Sequence, residues 1–210
     1  MTKASSPSKP KLVLATLNAP KARELLTLLG DIPFEVVPLT LFPGARLPPE
    51  GESSYATNAL AKARAAARLS GALSLADDSG LEVEALGGRP GISSARYGGP
   101  GLSDFDRCLQ LLEAVRGVPV EQRGARFRCV IALADPAGPE GVVEGMVEGR
   151  IALEPRGEGG FGYDPIFLYP PLGQTFAELT PEVKHRVSHR ARATALAREL
   201  LRSWPWPAKT

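Results

Sequence analysis

Apolar residues occur along the chain in short runs and in helical repeats. Leu12, Val13, Leu14 and Ala15 follow one another between Lys11 and Thr16, the pattern of a buried strand that ends at turn residues. Asn18 can then cap a helix whose first turn accepts Pro20, because the missing N–H is not needed there. Ala22, Leu25, Leu26 and Leu29 repeat at helical spacing, and Gly30 is the expected stop. A short strand is expected around Glu35, Val36 and Val37, and the proline- and glycine-rich stretch from Phe42 to Ser53 reads as a loop. The alanine-rich segment from Ser54 to Ser70 predicts a long helix stopped by Gly71. Leu73 to Ala76 predicts another buried strand, ending at Asp77-Asp78-Ser79-Gly80, with a glycine-laden loop continuing to Gly99.

In the second half, Ser103 and Asp106 have the spacing of a capping box. Phe105, Cys108, Leu109, Leu112 and Val115 form the apolar stripe of the helix that follows. Arg126 to Ala134 and Val142 to Ile151 predict an antiparallel pair, since only a short turn-rich segment joins them. Ser188 opens a last helix, and Trp204-Pro205-Trp206-Pro207 ends it. No repeat or linker divides the chain. The expected organisation is a disordered lead-in at 1–10, one domain over 11–203 and a tail at 204–210. Alternation of strands and helices, plus a hairpin, predicts a mixed α/β fold.

Composition narrows the class. The chain has 210 residues, 43% hydrophobic and 23% charged, with net charge +2. That length suits one core, and no apolar run approaches the ~20 residues of a membrane span. The near balance of 25 basic and 23 acidic residues lacks the excess expected of a duplex-binding domain. Cys108 and Cys129 stand apart in apolar segments, which suits core residues and not a disulfide framework or a zinc site. Met1 to Lys11 has no apolar stretch, so no secretory signal is read there and a cytoplasmic protein is expected.

Four segments could carry chemistry. Thr16 to Lys21 joins the first strand to the first helix, where free N–H groups favour an anion and Lys21 adds charge. It also suits an ordinary capped helix, and no P-loop pattern is present. Asp77-Asp78-Ser79-Gly80 puts two carboxylates on opposite sides of an extended chain, so one faces a cleft while the other braces the loop. A carboxylate there suits Mg²⁺, and the same residues suit a turn. Gly157 to Gly162 spells G-x-G-x-x-G, but the following Tyr163 to Leu168 is strand-like, which excludes a dinucleotide fingerprint. A glycine loop presenting Phe161 to a flat base is the more economical reading. Lys184 to Arg190 is a basic run whose cations are unfavourable near a helix start unless an anion joins them.

The order of these segments resembles one family. The residues are Leu14-Ala15-Thr16-x-Asn18-x-x-Lys21-x-x-Glu24, Asn58-Ala59-x-x-Lys62-Ala63, Ala76 to Leu81, Pro90-Gly91-x-x-Ser94-Ala95-Arg96-Tyr97, Gly160 to Pro165 and Ser188-His189-Arg190. Spanning about Leu12 to Leu201, they are similar to the inosine/xanthosine triphosphate pyrophosphatase family. The resemblance implies an elongated mixed β-sheet flanked by helices, with a cleft between two lobes, in a homodimeric, Mg²⁺-dependent enzyme. Its substrate would be a purine nucleoside triphosphate (ITP, dITP or XTP), cleaved to monophosphate and pyrophosphate, with no nucleic acid or membrane as partner. Thr16, Leu17, Asn18 and Lys21 would hold the triphosphate. Asp78 would be proton acceptor and metal ligand beside Ser79, and Phe161, Gly162, Tyr163, Asp164, Lys184, His189 and Arg190 would hold the nucleotide. The family's Thr-Phe-x-Glu-Asn-Ala run is Ser54-Tyr55-Ala56-Thr57-Asn58-Ala59 here, so a second metal-directed carboxylate must come from Glu50 or Glu52. Glu50 is favoured by its distance to the aromatic at Tyr55.

The mechanism expected is attack of water on the α-phosphorus, with Asp78 as base and Lys21, Lys184 and Arg190 neutralising phosphate charge. Two other readings are a pyrimidine-directed pyrophosphatase of the Maf type and a non-catalytic binder of nucleotides or single strands. The Ser188-His189-Arg190 triplet argues against the first, and Asp78 argues against the second, since a carboxylate repels phosphate without a metal.

Overall fold

The computed structural model describes residues 9–204. Strand β1 (Lys11–Leu14) lies parallel to β2 (Glu35–Pro38) on one side and to β3 (Leu73–Val83) on the other. From β3 onward the pairing is antiparallel, through β4 (Gly124–Ala134), β5 (Glu140–Ile151), β6 (Phe167–Tyr169) and β7 (Gln174–Thr175). The result is an open seven-stranded mixed sheet of order β2-β1-β3-β4-β5-β6-β7. The helices are α1 (Ala19–Leu29), α2 (Tyr55–Ser70), α3 (Asp104–Ala114), α4 (Pro181–Val187) and α5 (His189–Arg202).

Alternation along β1 and β3 distributes the core. Leu12, Leu14, Leu73 and Leu75 face α1 and α5, packing with Leu25, Leu29, Ala193, Ala197 and Leu201. Val13, Ala15 and Ala76 face α2, whose stripe of Ala59, Ala63, Ala66 and Ala67 is small enough for close approach to Val130 and Ala132. A parallel strand covered on both faces needs apolar residues at every position, which explains the unbroken run in β1. A third cluster lies on the α1/α5 face at the far end of the long strands: Leu81, Val83, Phe127, Val147 and Phe167 against Cys108 and Leu111 of α3 and Val115 just after it. Between the first and third clusters the same face of β3 carries Asp77 and Ser79. The gap between two apolar lobes is therefore filled by polar side chains.

One expected boundary moves. Asp77 to Gly80 do not end a strand but lie in the middle of β3, because β4 pairs with it residue for residue from Ser74↔Ala134 to Val83↔Ala125. Ladder hydrogen bonds override the turn tendency of Asp-Ser-Gly. Gly80 is there for closeness: a Cβ would lie 2.2 Å from the Gly91 carbonyl oxygen and 2.7 Å from Tyr55 Oη. At the C-terminal end, Trp204 is buried beside Leu201 and is part of the core. Residues 1–8 and 205–210, where most of the expected lead-in and tail fall, lie outside the described residues. Both cysteines are free and buried, and burial pushes each thiol up to about 12. Among the described residues no helix is long and apolar enough to cross a membrane.

α5 reaches the sheet over Gly145 of β5, where a Cβ would sit 2.3 Å from the Ala193 nitrogen and 2.4 Å from the His189 carbonyl oxygen. Both are backbone atoms that cannot swing aside. Gly145→Ala is expected to cost about 1–3 kcal/mol in urea unfolding through overpacking. Gly117→Ala, where a Cβ meets nothing within 4 Å, is the control and should change stability by less than about 0.5 kcal/mol.

Candidate active site

The polar gap is held by an alternating chain of charges. Lys21 Nζ lies 3.1 Å from Asp77 Oδ2, which also faces Arg190 Nη2 at 3.5 Å. Arg190 Nη1 donates to Glu24 Oε2 at 2.5 Å, and Glu24 Oε1 accepts from Lys184 Nζ at 2.7 Å. Lys184 then reaches Asp164 Oδ2 at 2.5 Å. The two helices α4 and α5 meet at Ser188, which caps α5 by accepting from the Ala191 N–H. The basic run Lys184 to Arg190 thus straddles a helix junction, and the anions that offset it come from α1, β3 and the loop before β6. Ser79 sits inside the chain, donating to Asp77 at 2.7 Å and accepting from Arg190 at 3.2 Å.

These groups are out of water, which fixes their ionisation. Burial alone would raise the Asp77 carboxyl, but Lys21, Arg190 and Lys62 hold it far below the ordinary carboxylate range. For Glu24, burial is likewise outweighed by Arg190 and Lys184. Both carboxylates are permanently charged at neutral pH.

On the opposite face of β3 a second cluster forms. Lys62, on the alanine face of α2, donates to Glu50 Oε1 at 2.8 Å and to Asp78 Oδ1 at 3.2 Å. Asn58, one turn earlier, donates to Asp78 Oδ2 at 3.0 Å and to the Gly51 carbonyl at 3.1 Å, while its own oxygen accepts from the Gly51 N–H. Arg96 donates to the Glu50 carbonyl at 3.0 Å. Glu50 is therefore anchored by its neighbours' backbone and presented to Asp78, whereas Glu52 is exposed. Burial raises the Asp78 carboxyl above its usual value, Lys62 opposes this, and Glu50 adds to it. Lys21 acts on Asp77, Asp78 and Glu50 alike, so it links the two faces.

Beside the charge chain is a cavity of about 120 Å³. Its lining includes Asn18 and Lys21, Ser79 and Gly80 of β3, Phe161 to Asp164, and His189 and Arg190 of α5. Phe161 lies under Lys184 Nζ at 5.0 Å and under the Arg190 guanidinium at 5.4 Å. Its loop is pinned at several points. Asp164 accepts from the Phe161 N–H at 2.8 Å, Asp104 accepts from the Gly162 N–H at 2.8 Å, and Tyr163 Oη donates to the Ser94 carbonyl at 2.8 Å. Gly160 and Gly162 have φ of 71° and 62°, a region that side chains disfavour.

Most of the expected site residues converge here, with four placed differently. Asp78 and Glu50 do not line the cavity but adjoin it across β3. Leu17 points to solvent, and Thr16 Oγ1 accepts from the Asn18 N–H at 3.1 Å, shaping the turn into α1. Asn18 is the cap of α1, accepting from Lys21 N at 3.0 Å. Thr57, in place of the family's glutamate, occupies the third position of α2 and pairs its hydroxyl with the cap Ser54 at 2.8 Å. That position serves helix capping, its N–H also donating to Ser54 Oγ at 3.1 Å. Sequence reading assigned no role to Glu24, Asn58, Lys62, Asp104 or Phe127. Lys62 left a signal, a lysine in line with Ala59, Ala63 and Ala66, whereas Asp104 and Phe127 are brought in by long-range packing alone.

The Ham1 family model matches residues 12–200. A dITP/XTP pyrophosphatase of Desulforamulus reducens is 50% identical over 191 residues, which cover 91% of this chain and 95% of the relative. A dITP/XTP pyrophosphatase of Methylococcus capsulatus is 52% identical over 199 residues, covering 92% and 96%. Among solved structures, a HAM1 protein from Coxiella burnetii superposes with a TM-score of 0.84 at 41% identity, covering 92% of this chain and 99% of that one.

Removing the charge at Asp77 leaves Lys21 and Arg190 facing a neutral group. Asp77→Asn is expected to destabilise the fold by about 3–5 kcal/mol at pH 7, as for other broken buried pairs. Because the folded carboxyl is depressed, its contribution is complete above the unfolded value of about 3.9 and declines as pH falls below it. Urea titrations should show a gap between wild type and variant that is constant from pH 8 to 5 and narrows below about pH 4.

Proposed function

The chain belongs to the Ham1 family, and from that membership and the site's geometry we propose that it hydrolyses the deaminated purine nucleoside triphosphates dITP, ITP and XTP to monophosphate and pyrophosphate. The observation that carries this reading is the pair of carboxylates Glu50 and Asp78 on Lys62, next to a base-sized cavity walled by Phe161. A triphosphate whose base lies on Phe161 runs past Lys21 toward that pair. Its removal from the nucleotide pool keeps deaminated bases out of DNA and RNA.

Asp78 suits the role of proton acceptor. Its raised carboxyl is more basic than an exposed aspartate, yet Lys62 and Asn58 keep it ionised and oriented. Water placed against it attacks the α-phosphorus, the proton passes to Asp78, and pyrophosphate departs. Lys21 and Lys62 neutralise charge on the phosphates, the main contribution available in a phosphoryl displacement. Asn18 and Ser79 orient the chain of phosphates.

The donor set also fits Mg²⁺. Two hard oxygen ligands, Glu50 and Asp78, converge on one ammonium, and Mg²⁺ takes one or two carboxylates with phosphate oxygens and water. Bound by Asp78 and Glu50, the ion would supply charge neutralisation and a more acidic water. Action as a homodimer in the cytoplasm completes the reading and rests on the family resemblance.

Incubation with ITP, XTP, dITP, GTP and ATP, with and without Mg²⁺, is the direct test. Pyrophosphate is expected from the first three, and orthophosphate release or equal turnover of ATP would overturn the reading. Asp78→Asn should keep nucleotide affinity within a few fold while lowering kcat by ~10²–10⁴. Wild-type turnover in that variant removes Asp78 from the mechanism. In the wild type kcat/KM should fall with decreasing pH as Asp78 protonates. Lys62→Met, which takes away the ammonium that favours the ionised form, should move this limb to higher pH.

A further inference from the structure

His189 is the first residue of α5 and is almost completely enclosed, at 4% exposure. Its ring lies nearly parallel to that of Phe127, with centroids 4.6 Å apart and planes 14° apart. Phe127 is in turn wedged by Phe167 at 4.5 Å and Phe176 at 5.9 Å, so its own plane is fixed from behind. Both Phe127 and His189 line the cavity. The two imidazole nitrogens differ. Nδ1 is sealed from solvent without a hydrogen-bond partner among the described residues. Nε2, also unbonded there, is absent from the sealed atoms and is the nitrogen left to face the cavity.

Arg190, Lys184 and Lys21 act on the ring, opposed by Asp77. Burial and the neighbouring Arg190 and Lys184 keep it neutral, well below its ordinary value. A neutral imidazole has one N–H. Placed on Nδ1, that hydrogen would be a buried donor with nothing to receive it. Placed on Nε2, it points into the cavity and can be satisfied by a bound ligand.

We propose that Phe127 is a positioning residue for base selection: its ring holds the imidazole of His189 in one orientation, with the hydrogen on Nε2 directed into the cavity. The inference rests on the pyrophosphatase reading above and deepens it. A ring fixed as a donor accepts a base edge bearing a carbonyl oxygen, such as the 6-oxo group of hypoxanthine or xanthine. Against adenine it meets the 6-amino group, donor against donor, and leaves both unpaired in a dry site. Buried groups left without partners are what gives strong discrimination between similar substrates. Without the ring of Phe127, the imidazole can turn or exchange tautomers, and the site accepts either edge.

Two measurements test this. The chain has two histidines, His185 and His189, so nitrogen NMR of the full-length protein with labelled histidine, assigned through His185→Gln, reads the tautomer directly. Wild-type His189 should be neutral with its proton on Nε2 from pH 6 to 8, and a proton on Nδ1 overturns the proposal. In the second measurement, Phe127→Leu should lower the ratio of kcat/KM for ITP over ATP by about tenfold or more, chiefly through KM for ITP. Phe127→Tyr, which keeps a ring over the imidazole, should retain the wild-type ratio. A folded Phe127→Leu protein with unchanged selectivity overturns the proposal. If Phe127→Leu does not fold, Phe127→Met takes its place in the same ratio measurement. A wild-type protein that hydrolyses neither nucleotide refutes the pyrophosphatase reading, and the His189 spectrum of the Phe127 variant then decides the positioning: a tautomer and ring orientation unchanged from the wild type overturn it.

Discussion

Buried charge must be matched by buried countercharge, and this constraint organises the molecule. An ion taken out of water without a partner costs several kcal/mol even after relaxation. Lys21, Asp77, Arg190, Glu24, Lys184 and Asp164 meet the constraint by alternating in sign through contacts of 2.5–3.5 Å. The six come from α1, β3, α4, α5 and the loop before β6. Neutrality is therefore reached only when all these elements have docked. The chain of charges staples two apolar lobes that share a sheet but have separate cores on this face, and it keeps the ground between them polar and open.

A single strand separates two kinds of acid. Asp77 and Asp78 are adjacent in sequence and point to opposite faces of β3. Asp77 meets Lys21 and Arg190 and is locked in its charged form, which makes it a brace with no proton to exchange at neutral pH. Asp78 meets one ammonium, shared with a second carboxylate, and its raised carboxyl remains responsive. Period-two geometry thus gives two adjacent aspartates opposite shifts, one held far below the ordinary carboxylate range and one raised above it. Lys21 interacts with both and couples the base side of the site to the reactive side.

Local signals in the sequence were sufficient where a helix or strand is governed by its own residues. The caps at Asn18, Ser54, Ser103 and Ser188 each accept the backbone N–H that their spacing implies. The mixed α/β class and the opposite facing of the two aspartates were also legible. Local signals failed at Asp77 to Gly80, where turn-forming residues are held straight by a ladder to β4 that begins fifty positions away. At Lys184 to Arg190 the local sequence calls for an anion without saying which, and only the fold shows that Glu24, about 160 residues earlier, supplies it. Phe127 reads as an ordinary core residue of a strand, and only packing shows that it borders the cavity and stacks on His189.

The charge chain also divides the work among the basic residues. Lys184 and Arg190 would be free to bind phosphate if they were unpaired, but each already contacts two carboxylates. A triphosphate drawn to them would have to displace Glu24 or bring its own charge beside it, and like charges at that range repel. Lys62 also contacts two carboxylates, and under the reading proposed above these are the pair suited to a divalent ion. Lys21 has one carboxylate partner and lies at the crossing between the faces. On the reading proposed above, attraction for the phosphates falls to Lys21 and Lys62, while the compensated Lys184 and Arg190 lie over Phe161 at 5.0 and 5.4 Å. The two faces of the strand are not independent, because Lys21 acts on Asp77 on one side and on Asp78 and Glu50 on the other.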